Sequence, residues 1–382
     1  MKPILLATLE YPPQVGGVGE YLRRLVENMP SGAAVVLAPE TDRAHEVDMV
    51  SEVPIYRRPL LSRWLRPRWL AALYWTEWLR RKEKPSALLV SHLLPMGQVA
   101  RIVRRYSGLP YFVVVHGMDA GLALAAGGRK RHLAGEILRE AEGVIANSDY
   151  TANLVAGGFG LSDRQISVIR PAPSLPLETA VSPVQAMEFR RRHGLPRSFL
   201  LLTVGRLVAR KGFDTCLAAV AKLAKNGEPV HYVVVGDGPE RSRLEALAEK
   251  LRIQDRVRFL GAVGREELEL AYAASDAFVM VPRSFGPDVE GFGIVYLEAG
   301  LFGKPVIGAR SGGVGDAVLD GRTGFLVPPD DTDALALAIR RLYAQPDDRE
   351  LLGRCGRLRV LSDFTPQAAA VQARALFGRF WS

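Results

Sequence analysis

Cysteine is nearly absent: 382 residues hold two, Cys216 and Cys355. That number excludes a disulfide framework and a cysteine-based zinc site. Cys216 falls on the apolar stripe Phe213, Leu217, Val220, Leu223 and reads as a buried thiol. Long apolar runs are missing as well. Nothing approaches the roughly 20 residues of a membrane span. The opening residues 1–12 carry one lysine and a short apolar run before an acid and two prolines, the wrong flanks for a signal peptide. The expected location is the cytoplasm. Acids are the minority, 41 against 50 Lys and Arg, so the chain carries +9 and suits polyanions, acidic lipid surfaces or phosphorylated small molecules. With 48% hydrophobic and 24% charged residues there is apolar surface for more than one core, which excludes wholesale disorder. At about 150 residues per domain, the length predicts two or three.

Short β-branched runs alternate with helical patterns, with Gly, Pro, Asn or Asp at the junctions, the signature of a parallel sheet covered by helices. Six strands are expected in each half: 4–9, 34–38, 87–90, 111–116, 143–146 and 166–169, then 200–204, 231–235, 257–260, 277–281, 306–307 and 324–326. Between the halves, prolines 171, 173, 176 and 183 mark a linker without periodicity. The expected division is an N-terminal domain over 1–172, a linker over 173–190 and a C-terminal domain over 191–364. Ligands of open α/β sheets bind beyond the carboxyl ends of the strands, so two such sheets facing one another would form a cleft lined by strand-to-helix loops.

Within those loops the run from Glu290 to Glu298 carries the most chemistry. Gly291 and Gly293 permit close backbone approach, and a helix opening near Ile294 would aim the amides of Gly293, Ile294 and Val295 at an anion. Glu298, one turn in, and Glu290, on the loop, are acceptors suited to ribose and hexose hydroxyls. Equally, Glu290 can cap the helix and Glu298 can pair with a lysine. A second loop, Gly205 to Phe213, places Arg206 and Lys211 between strand and helix, where they can neutralise a diphosphate without a metal, or form a solvated basic turn. Gly16 and Gly17 follow the first strand but lack the G-x-G-x-x-G frame, whose third position from Gly17 is Leu22. That frame's absence argues against a nicotinamide oxidoreductase. Gly236 and Gly238 also follow a strand, and His116, before Gly117, ends another and can reach a substrate hydroxyl.

Together Gly16-Gly17, His116-Gly117, Asn147-Ser148, Gly205-Arg206 with Lys211, Gly236-Asp237-Gly238-Pro239 and the glutamates 290 and 298 resemble, over nearly the whole chain, the retaining GT-B glycosyltransferases of the group-1, GT4-like type that includes bacterial mannosyl- and glucosyltransferases. The resemblance implies two Rossmann-like doubly wound α/β domains facing a central cleft. It implies a nucleoside-diphosphate sugar donor, UDP- or GDP-linked, with no further cofactor and no metal. Arg206 and Lys211 would hold the diphosphate, and Glu298 the ribose. Glu290 and the amides of Phe292, Gly293 and Ile294 would hold the hexose, Gly17 would approach the phosphate and His116 the sugar. A C-terminal helix over about 365–382 would cross back onto the first domain. In place of the family's frequent Gly-x-Asp turn stands Arg170-Pro171-Ala172-Pro173, and residues 284–289 are closest to relatives that mannosylate lipid-linked inositol. The alternatives on the same fold are a nucleotide-sugar epimerase or hydrolase, and a non-catalytic nucleotide-sugar-binding subunit.

Residues 57–84 hold nine Lys and Arg, two Glu and four of the five tryptophans. A helix near 67–84 would align Leu70, Ala71, Tyr74, Trp75 and Trp78 on one face, which suits an anionic membrane interface or the domain's own sheet. The first option makes the acceptor a lipid-linked or glycan hydroxyl and places the protein peripherally on the inner membrane face. The basic residues do not interleave with a nucleic-acid-binding module, so no nucleic acid partner is expected.

Overall fold

The computed structural model describes residues 2–14 and 16–381. The chain forms two compact units. One comprises residues 1–172, 286–291 and 366–382, the other 173–285 and 292–365.

The first unit is built on seven parallel strands, β1 (Ile4–Ala7), β2 (Ala34–Ala38), β3 (Ile55–Arg57), β4 (Ala87–Ser91), β5 (Tyr111–Val115), β6 (Gly143–Ala146) and β7 (Ile166–Val168), ordered β3-β2-β1-β4-β5-β6-β7. All but β3 and β7 are buried throughout, as continuous apolar strands covered on both faces must be. Strand β3, only three half-buried residues, has too little apolar periodicity to be read from sequence. One face of the sheet packs on the helices Leu70–Glu83, Met96–Ser107 and Gly128–Glu140. The other packs on the helix Gly17–Glu27 and on Ala373, Phe377 and Trp381 of the C-terminal segment. The Phe377 ring meets Phe112 edge-on at 4.9 Å between centroids.

The tryptophan-bearing helix differs from the membrane-facing expectation. It begins at Leu70, buries Ala72, Thr76 and Leu79, and lays Trp75 and Trp78 against its own core. Arg58 stacks over both rings, 5.0 and 5.3 Å from their centroids. Of the face expected to meet lipid, Tyr74 is the residue left well exposed, at 63%.

The second unit holds six parallel strands, β8 (Phe199–Val204), β9 (Val230–Val235), β10 (Val257–Gly261), β11 (Ala277–Val279), β12 (Val306–Ala309) and β13 (Gly324–Val327), ordered β10-β9-β8-β11-β12-β13. Residues 173–190, expected as a linker, belong to this unit instead. Ser182 caps a helix there, Pro183–Arg192, whose Phe189 is fully buried. Proline density marked the start of a new unit rather than a tether, because Pro at the first helical position favours a helix. Both sheets reverse strand order, between β1 and β4 and between β8 and β11. In doubly wound sheets that is where a crevice opens at the carboxyl ends.

Candidate active site

In the second unit the switch-point loops are the segment after β8, with Arg206 and Lys211, and the segment after β11. They are tightly tied. Gly212 adopts φ +73, and a Cβ there would fall 2.1 Å from the Val281 carbonyl oxygen. The Arg283 amide donates to the Arg210 carbonyl at 2.9 Å, while its guanidinium grips Asp214 at 2.7 and 3.1 Å and the Thr215 hydroxyl at 2.6 Å. This clamp holds Asp214 below the usual carboxylate range, with the Arg283 contacts overcoming the opposing effect of burial. Arg206 is exposed, and the Lys211 Cε lies 3.9 Å from the place a Cβ on Gly205 would take, so the two cations share one loop mouth.

Gly236 and Gly238 serve that same loop. A Cβ on Gly236 would sit 2.0 Å from the Gly205 carbonyl oxygen, and one on Gly238 2.5 Å from that of Leu207. Backbone bonds Gly205 N–H to Val235 O (2.9 Å) and Leu207 N–H to Asp237 O (3.0 Å) lace the strands' exits together. Their glycines are therefore demanded by loop-on-loop contact.

The helix Ile294–Leu301 starts where the sequence placed it, with Gly293 as its cap at φ +89. Only glycine fits, since a Cβ would meet the Tyr296 ring at 2.6 Å. Phe292 is buried in the core of this unit. Glu298, 4% exposed, accepts from the Tyr272 hydroxyl at 2.8 Å and from the Ser174 hydroxyl. A buried carboxylate already ordered by hydroxyl donors is chemically suited to a ribose diol.

In the first unit, Gly16 caps the helix Gly17–Glu27 at the end of the loop that follows β1. His116, after β5, bonds the Ser91 hydroxyl through Nε2 at 3.0 Å and packs edge-on against Tyr21. Asp119 accepts from the amides of His116 (3.0 Å), Ala120 (2.9 Å) and Leu93 (3.1 Å), which fixes the exits of β4 and β5 to one another. Burial pushes the His116 pKa well down, so the ring is neutral at pH 7. The segment 286–291 counts with this unit. A Cβ on Gly291 would lie 2.4 Å from the His116 carbonyl oxygen, which brings Glu290, 8% exposed, beside the histidine loop.

Sequence reasoning missed Glu10 and His92. Glu10 Oε1 lies 3.3 Å from His92 Nε2, and His92 holds a left-handed φ of +73. The hydrogen bond from His92 lowers the Glu10 pKa; burial opposes protonation of His92, but Glu10 outweighs it and raises the His92 pKa. Each residue closely follows a strand. What pairs them is the adjacency of β1 and β4, 80 residues apart in sequence, which no local pattern encodes. Among the described residues no group of three or more His, Cys, Asp or Glu is placed to hold a metal ion.

Residues 15–172 match Glycosyltransferase Family 4, and residues 186–359 match Glycosyl transferases group 1. The chain is 30% identical over 361 residues to a GDP-mannose-dependent alpha-(1-6)-phosphatidylinositol monomannoside mannosyltransferase of Mycolicibacterium smegmatis, covering 93% of this chain and 92% of that one. It is 30% identical over 332 residues to a 2-deoxystreptamine glucosyltransferase of Streptomyces kanamyceticus, covering 82% and 83%. Among solved structures, Anabaena Alr3699/HepE in complex with UDP superposes with a TM-score of 0.83 at 20% identity, over 99% of this chain and 100% of that one. The chain belongs to the group 1, family 4 glycosyltransferases, and its fold is GT-B.

Proposed function

We propose that this glycosyltransferase moves a mannose- or glucose-type hexosyl unit, with GDP-mannose the first candidate donor, to a hydroxyl of a lipid-linked or glycan acceptor, with retention at the anomeric carbon and without a metal ion. The observation that carries the reading is the braced loop bearing Arg206 and Lys211 in the same unit as the buried, hydroxyl-bonded Glu298. Relatives named for GDP-mannose-dependent transfer to phosphatidylinositol mannosides support the choice of donor and of a lipid-linked acceptor.

As the glycosidic bond breaks, negative charge grows on the departing diphosphate. Arg206, Lys211 and the first amides of the helix Ile294–Leu301 meet that charge without reorganising, which is where fixed dipoles and cations lower a barrier. Glu298 orients the ribose. Glu290 and neutral His116 hold sugar hydroxyls, His116 in the tautomer selected by its bond to Ser91. The acceptor proton passes to a phosphate oxygen, so no side chain serves as general base. The protein works at the cytoplasmic membrane face; no helix among the described residues is long and apolar enough to cross a membrane.

The experiment is a thermal-shift panel of GDP-mannose, UDP-glucose and related donors, followed by NMR of the product formed with membrane lipid extract. The expected result is stabilisation by one donor and an α-linked product whose yield is unchanged by chelator. An isomerised donor or free sugar as sole product would assign the epimerase or hydrolase alternative. Stabilisation by no nucleotide sugar would overturn the reading.

A further inference from the structure

With Trp75 and Trp78 turned inward, the exposed apolar surface of this region lies in the preceding loop. Residues 59–68 follow β3 at the carboxyl edge of the first sheet, and the loop is closed by the Ser62 amide bonding the Arg68 carbonyl at 3.0 Å. Trp64 at its tip is 83% exposed, and Leu61, Leu65 and Tyr74 are all more than 40% exposed. Between loop and helix runs a groove of about 650 Å³, whose apolar wall includes Leu61, Trp64, Leu65, Ala71, Tyr74 and Trp75. A soluble surface seldom spends two aromatics and two leucines this way unless they meet an apolar partner. Arg63 and Arg68 line the same groove, with Arg66 beside them. No acid among the described residues pairs with any of the three, whereas Arg80 and Arg81 are neutralised by Glu77 and Arg57 by Asp48. An apolar trough rimmed by unneutralised arginines is complementary to an amphiphile with an anionic head.

We propose that this groove seats one acyl chain of an anionic bilayer glycerophospholipid, with Arg63 and Arg68 on its phosphate. The site deepens the lipid-acceptor reading above by supplying the anchoring contact through which the first unit's sheet edge is held at a membrane. A chain in the groove covers Trp64, Leu65 and Tyr74. The arginine pair favours a net-anionic head over a zwitterionic one, because a choline ammonium offsets the phosphate charge that the guanidinium groups meet.

The test is calorimetric titration of the full chain with lysophosphatidylglycerols of increasing chain length, kept below their micelle concentrations, and with chain-free glycerophosphoglycerol. One lipid should bind per protein, about tenfold more tightly for each two methylenes added, with no binding of the chain-free head. Ala71→Phe fills the groove and should abolish binding. Trp64→Ser, at a site too exposed to affect folding, should weaken it at least tenfold, and Arg63→Gln with Arg68→Gln should bring the affinity down to that for lysophosphatidylcholine. Each variant should keep the wild-type thermal shift with GDP, which shows that it is folded. For the wild-type protein, a GDP shift without lipid binding would sink the groove alone, and lipid binding without a GDP shift would sink the donor reading alone. Absence of one-to-one lipid binding, or binding untouched by both Ala71→Phe and Trp64→Ser, overturns the proposal. So does a wild-type dimer in sedimentation velocity that Trp64→Ser converts to monomer, because a second copy would then be the occupant.

Discussion

Replacing Gly236 by alanine should disable transfer from a position whose side chain would never touch substrate. The residue holds φ +128, a conformation that costs an L residue about 1–3 kcal/mol. Its Cβ would also sit 2.0 Å from the Gly205 carbonyl oxygen, where real Cβ atoms keep at least 3.0 Å, so the two loops must part by 3.0 − 2.0 = 1.0 Å. Parting them strains the Gly205-to-Val235 and Leu207-to-Asp237 hydrogen bonds, worth about 1 kcal/mol each. The sum is about 3 kcal/mol or more, a fall of roughly 6–12 °C in Tm for a domain of this size. Arg206 rides on the displaced backbone, and an ångström of misplacement in a charge-stabilising group can cost about 100-fold in rate. The assay is a calorimetric melt together with steady-state transfer from the preferred donor, with Gly315→Ala as control, since a Cβ there meets nothing within 4 Å. A Gly236→Ala protein that melts and turns over like wild type would refute the claim that loop-on-loop packing sets the cation geometry.

How legible the site was depended on whether its parts are local. The helix Ile294–Leu301 and its glycine cap follow from a Gly-x-Gly run and an apolar continuation, both contained in a dozen residues. All twelve expected strands lie within two residues of their observed ends, because strands covered on both faces read as unbroken β-branched runs; 277–281 ends at Val279, where the chain leaves the sheet to brace Gly212. What stayed hidden was pairwise. The Glu10–His92 contact needs the order β1-β4, the Tyr272 and Ser174 donors to Glu298 come from 26 and 124 residues away, and the assignment of residues 286–291 to the first unit follows from the fit of Gly291 on the His116 carbonyl. The helix over 70–83 left two readings open for a different reason. An amphipathic stripe says that a face is covered, and hydrophobicity alone does not say whether sheet or lipid covers it.

Arg206→Ala should lower kcat by about 100- to 1000-fold with an unchanged melting temperature, because the side chain is exposed; wild-type turnover would remove it from the site. Phe377→Ala should cost about 3–5 kcal/mol, seen as early melting of the first unit, since the ring is fully buried against Phe112; an unchanged melt would mean that the C-terminal segment adds nothing to that core. The pH dependence of stability distinguishes His116 from His92, two of the four histidines of the first unit. In the unfolded chain His116 titrates near 6.5, whereas in the fold desolvation keeps it neutral to well below that. Between those values the unfolded state binds the extra proton, so stability is full above pH 6.5 and drains as pH falls. At pH 5.5, about one unit below the unfolded value, the loss is about 1 kcal/mol. His92 acts in the opposite sense: Glu10 raises its folded pKa, so its contribution is complete below pH 6.5 and is lost as pH rises through that raised value. Urea unfolding of wild type and His116→Gln at pH 7.5 and 5.5 isolates the first effect, because His92, Glu10 and Asp119 remain in both proteins. The acid-induced loss should be smaller in the variant by that 1 kcal/mol. Equal losses in the two proteins would show that His116 protonates freely in the fold, and a charged ring there would no longer choose between donating to and accepting from a sugar hydroxyl.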